Sequence, residues 1–114
     1  MIDANWCFIT PGFTDSHIHF LMGGERLNSV KLKNANTQQK FIEALANYAN
    51  SIEPGKWITG GDWDSYEWGC DLPDRHLIDT VTPNNPVWIG RHEGHMYLAN
   101  TLALTLAGLL DKEI

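Results

Sequence analysis

The alternation of strand-like and helix-like segments along this chain predicts an α/β fold. Three observations carry that prediction. Residues 37–52 place apolar side chains at helical spacing, and residues 87–91 form the unbroken apolar run of a parallel strand. Pro54-Gly55 and Pro83-Asn84-Asn85-Pro86 break the chain between such segments.

Taken in order, residues 7–10 read as a short strand stopped by Pro11-Gly12, and residues 13–17 as a second strand. The second opens into a flexible loop at Gly23-Gly24. Residues 30–32 alternate weakly and suggest a third, short strand. The clearest helix spans residues 37–52, with Thr37 as its N-cap. Phe41, Ile42, Leu45, Tyr48, Ala49 and Ile52 form its apolar stripe, and proline and glycine at 54–55 end it. Residues 57–60 are a candidate strand running into a loop over residues 61–70. Asp74 can cap a short helix through Val81. After the strand at 87–91, Asn100 caps a helix to about residue 106, with Gly108 as its stop. No internal repeat or low-complexity segment is visible.

With 114 residues the chain suffices for one domain with a moderate core. A net charge of −6 offers no basic surface for nucleic acid or an anionic membrane. Cys7 and Cys70, the two cysteines, form no C-x-x-C or zinc-ribbon pattern and read as free thiols in a reducing compartment. The start of the chain lacks a basic region followed by an apolar core, so no signal peptide is expected. The most apolar stretch, residues 102–110, is too short to span a membrane. A cytoplasmic location is the expectation.

The segment Pro11-Gly12-Phe13-Thr14-Asp15-Ser16-His17-Ile18-His19 carries the strongest chemical signal. On a strand, His17 and His19 would share one face, because side chains alternate with period two. Two imidazoles side by side can chelate a divalent metal, as in zinc-type hydrolytic sites. Asp15 would share that face and could orient a ligand imidazole, or it could cap locally. In residues 62–68, two tryptophans and a tyrosine alternate with acids. That composition suits a cavity wall or lid, and equally suits packing of the segment onto the fold. It lacks the spacing of an EF-hand loop, so calcium is rejected. His92-Glu93-Gly94-His95 misses the H-E-x-x-H motif by one residue, and Gly94 argues against a helix there, so a zincin is rejected as well.

The P-G-F-T-D-S-H-I-H run resembles the opening barrel strand of the metal-dependent amidohydrolases. The likeness continues through residues 27–32, Trp57-Ile58-Thr59-Gly60-Gly61-Asp62-Trp63-Asp64, Leu72-Pro73, residues 79–87, residues 91–95 and residues 100–108. This ordered set resembles a subgroup that includes N-substituted formamide deformylase-like enzymes. Glu93 departs from the family's R-x-D-G-H pattern, and Trp6 stands where the family usually has glycine.

The resemblance implies a partial (β/α)8 TIM-barrel fragment, since a complete barrel needs about 250 residues. Residues 1–10 would end a β-sandwich and 11–23 would be barrel strand 1. Residues 24–85 would form an α/β insertion, and 86–114 barrel strand 2 with its helix. It also implies a divalent metal, zinc in the first instance, held partly by His17 and His19 with Asp15 behind them. Trp63, Asp64, Arg91 and His95 would be substrate-side residues for a small amide-type molecule. The remaining ligands would come from later strands, and neither His76 nor His92 has a spacing that completes the shell. The expectation is therefore the N-terminal part of a C–N hydrolase, inactive as an isolated chain and prone to self-association through exposed barrel edges. The alternatives are a non-catalytic ligand- or protein-binding module and a truncated gene product without function.

Overall fold

The computed structural model describes residue 3, residues 5–69 and residues 72–110. Cys70, one of the expected free thiols, lies outside them; Cys7 is free and exposed. Among the described residues, four strands form one mixed sheet in the order β1-β2-β3-β4. They are β1 (Val30–Lys31), β2 (Ile58–Trp63), β3 (Val87–Arg91) and β4 (Tyr97–Ala99). The first three are parallel, and β4 turns back antiparallel on β3. The α/β class holds. Among the described residues no helix is long and apolar enough to cross a membrane.

Helix α2 (Gln38–Ser51) forms where its periodicity predicts. The Thr37 hydroxyl accepts from the Lys40 N–H at 3.2 Å, so one of the first-turn donors is satisfied. Its stripe of Phe41, Leu45 and Ala49 is buried in one core with Val30, Ile58, Val87 and Ile89 of the sheet and with Leu32 just after β1. Burying each large side chain is worth roughly 1.5–3 kcal/mol. Helix α3 (His76–Asp79) follows an Asp74 carboxylate that accepts from His76 N–H at 2.8 Å. Helix α4 (Thr101–Leu106) is capped by Asn100, which accepts from Ala103 N–H at 2.9 Å.

The N-terminal region corrects the sequence reading. Residues 7–10 and 13–17 form no strand, and His17 lies in a bend rather than on a pleat. A strand needs a neighbour to satisfy its backbone groups, and among the described residues none lies beside this segment. Trp6, Phe8 and Phe13 are almost wholly exposed on the resulting arm. The radius of gyration is 19.3 Å, whereas a compact chain of this length has about 13 Å. Gly23-Gly24, expected in a loop, lie inside helix α1 (Phe20–Leu27), which buries none of its residues. Trp6 sits at φ 65°, the left-handed region where the family's glycine would be unstrained.

Two other differences shape the site. Strand β2 runs on to Trp63 through the expected loop, and β4 carries no helix or strand periodicity strong enough to announce it. The sheet face opposite α2 leaves Thr59 and Trp88 exposed, with Trp88 and Tyr97 stacked at 4.9 Å.

Candidate functional site at the strand ends

Parallel strands present their loops at their C-terminal ends, and clefts form there. At that edge, Gly61 pairs with Gly90 and Trp63 with Arg91, which leaves Asp62 unpaired in a bulge. Asp62 adopts φ 65°, a left-handed conformation that costs a residue with a β-carbon about 1–3 kcal/mol. The bulge aims its carboxylate at two partners. Oδ1 lies 3.4 Å from Arg26 Nη1 of α1 and 3.3 Å from His92 Nδ1 beyond β3.

Trp63 points the other way. It is buried, and its indole N–H donates to the Ile89 carbonyl at 3.1 Å. The Arg91 guanidinium lies 5.9 Å from its ring centroid, within cation–π range. From there Arg91 forks, Nη2 donating to Asp64 Oδ1 at 3.0 Å and Nη1 forming an ion pair with Glu93 Oε1 at 3.0 Å. Asp64 also accepts from the Tyr66 N–H at 3.1 Å. That backbone bond, followed by the Arg91 hydrogen bond, holds the Asp64 carboxyl below the ordinary carboxylate value. Lys33, Asn36, Asp62, Asp64, Tyr66 and His92 line a cleft of about 250 Å³. Its polar walls carry both signs of charge.

His17 and His19 lie outside this cleft, on the exposed arm. Their ring centroids are 5.3 Å apart and nearly perpendicular. Asp15 accepts from the His17 backbone N–H at 2.9 Å, the local capping arrangement rather than a bond to an imidazole. A catalytic zinc takes three protein ligands plus an open position. Among the described residues no group of three or more His, Cys, Asp or Glu comes together to hold an ion. The two imidazoles are therefore a partial donor set and not a complete site.

The structure thus brings Trp63, Asp64 and Arg91 together and leaves His95 exposed in the turn before β4, away from the cleft lining. Trp63 serves here as core, beneath the cleft. Neither Asp62 nor His92 stands out in the sequence, because Asp62 belongs to no motif and His92 lacks ligand spacing. Asp62 and Asp64 flank Trp63, and period two would have put both carboxylates opposite the indole.

Comparison with known proteins adds the following. The sequence model of the Amidohydrolase family matches residues 1–113. Protein LONG AFTER FAR-RED 3 of Arabidopsis thaliana is 39% identical over 103 residues, covering 90% of this chain and 18% of that protein. N-substituted formamide deformylase of Arthrobacter pascens is 29% identical over 112 residues, covering 96% of this chain and 21% of the enzyme. The crystal structure of an uncharacterized metal-dependent hydrolase from Pyrococcus horikoshii OT3 superposes with a TM-score of 0.61 at 29% identity, covering 90% of this chain and 20% of that one. The chain spans about a fifth of the length of these relatives.

Proposed function

This chain belongs to the amidohydrolase family, and from that premise we propose that it forms part of a metal-dependent hydrolase of non-peptide C–N bonds. The observation that carries the reading is the paired imidazoles of His17 and His19, 5.3 Å apart within the segment that matches the family. In this reading they supply two ligands to a divalent metal, zinc in the first instance. When bound, such a metal lowers the pKa of water and polarises the scissile carbonyl.

Asp15 orders the backbone ahead of His17 and so fixes where that ligand begins. Asp64 and Arg91 offer an acceptor and a planar donor to a small amide, and Trp63 backs Arg91 from beneath. His95 would reach the substrate from the β3–β4 turn. The four-stranded sheet, with α2 on one face, is read as a piece of a (β/α)8 barrel wall. With two ligands only, the chain by itself should not turn over an N-formyl or N-acyl amide.

Calorimetric titration of zinc into the tag-free chain tests the ligands. Weak binding is expected, and His17→Ala or His19→Ala should abolish it; equal heat from the double variant would remove the pair as ligands. Activity is tested by replacing the matched segment of the Arthrobacter deformylase with this chain. The chimera should hydrolyse an N-substituted formamide and lose that activity with His17→Ala. Metal-dependent turnover by the 114-residue chain itself would overturn the partial-site reading.

A further inference from the structure

We propose that Asp62 and His92 form a proton-relay pair in the cleft, with His92 accepting a proton from water and Asp62 as the positioning residue. Three observations converge on this pair. First, His92 Nδ1 faces Asp62 Oδ1 at 3.3 Å, while Nε2 has no hydrogen-bond partner among the described residues and the ring lines the cleft. A proton donated from Nδ1 to the carboxylate leaves Nε2 as the lone-pair nitrogen. The distance is long for a hydrogen bond, as such pairs commonly are before substrate tightens them.

Second, the backbone is distorted to make the pair. Asp62 occupies a bulge at positive φ, and bulges of this kind re-aim side chains beside active sites. An exposed ion pair alone contributes little stability, so stability does not account for that distortion. Third, both residues are held. The His92 N–H donates to the Trp63 carbonyl at 2.8 Å, and Arg26 from α1 engages the same Asp62 oxygen. The pair therefore spans three segments that meet only in the folded chain.

In hydrolysis, Nε2 would take a proton from water as the water oxygen bonds to the carbonyl carbon. The bond from that carbon to the leaving group then breaks, and the imidazolium returns its proton to the leaving group or to solvent. The inference rests on the hydrolytic reading only for what the proton serves. Its test needs no metal, so the two can fail separately.

The test is p-nitrophenyl acetate hydrolysis by the full chain in excess EDTA. The chain should exceed free imidazole at equal histidine concentration, with a rate that rises with pH as an imidazole loses its proton and that slows in D₂O. His92→Gln should lower the rate about tenfold, the lower part of the range for a positioned base. Asp62→Asn should lower it severalfold and move the pH midpoint, and Asp62→Glu should restore part of the loss. His76→Gln, a change at an exposed histidine away from the cleft, should leave the rate alone. A full rate in His92→Gln, or no slowing in D₂O, overturns the proposal. Should Asp62→Asn fail to fold, ¹⁵N spectra of the unaltered chain decide: the neutral ring must carry its proton on Nδ1, and a proton on Nε2 overturns it.

Discussion

Arg91 closes β3 and donates from Nη2 to Asp64 Oδ1, just beyond β2, at 3.0 Å. This bond ties the ends of two neighbouring parallel strands across the mouth of the cleft, and its second nitrogen is already engaged by Glu93. Arginine suits the position because its rigid fork can hold two carboxylates, which the single ammonium of lysine cannot do in the same geometry.

The first prediction concerns acid. Because the folded Asp64 pKa is lowered, its contribution to stability is present above the unfolded value of about 3.9 and is lost as pH falls through the folded one. Arg91→Ala should raise the Asp64 pKa without restoring the ordinary value, since the Tyr66 N–H remains. Carboxyl ¹³C titration reads this directly, and an unmoved Asp64 midpoint in Arg91→Ala would sink the assignment.

Asn100 should be the most costly polar residue to replace. It is buried, donates to the Thr82 carbonyl, Thr82 Oγ1 and the Asn85 carbonyl, and accepts from Val87 and Ala103 N–H. Asn100→Ala removes a helix cap and strands several buried groups, so a loss of about 2–4 kcal/mol is expected in urea unfolding. Asn100→Asp should be no better, because a carboxylate would face oxygens it cannot donate to. A loss under about 1 kcal/mol would contradict the described network.

Gly60 and Gly12 should behave oppositely. Gly60 sits at φ 88°, and a β-carbon there would overlap Ser29 Cβ and Oγ. Gly60→Ala should cost more than about 2 kcal/mol, and adding Ser29→Gly should recover only part, because the backbone strain remains. Around Gly12 nothing lies within 4 Å of such a carbon, so Gly12→Ala should stay within about 0.5 kcal/mol. Equal thermal shifts for the two would refute this contrast.

The aromatic arm should make the chain associate. Trp6, Phe8 and Phe13 are 106%, 93% and 99% exposed, far from the burial such side chains normally reach. Sedimentation should show concentration-dependent association, reduced by changing all three to serine. A single monomeric species with a cooperative melt would count against it.

What was legible in the sequence was what neighbouring residues decide among themselves. The α2 stripe from Phe41 to Ala49, the Thr37 and Asn100 caps and the apolar run of β3 all depend on local spacing, and all appear where expected. The family, too, was readable from the H-x-H run and the ordered segments after it. Tertiary structure decided the rest, because strands are made by partners. Residues 13–17 have strand composition but no neighbour to pair with among the described residues, so the period-two argument for His17 and His19 has no strand to act on. Gly61 looks like the start of a loop until β1 and β3 close on either side and accept its positive φ angle. Asp62 and His92 stand 30 residues apart, and only the alignment of β2 with β3 sets an imidazole beside that carboxylate.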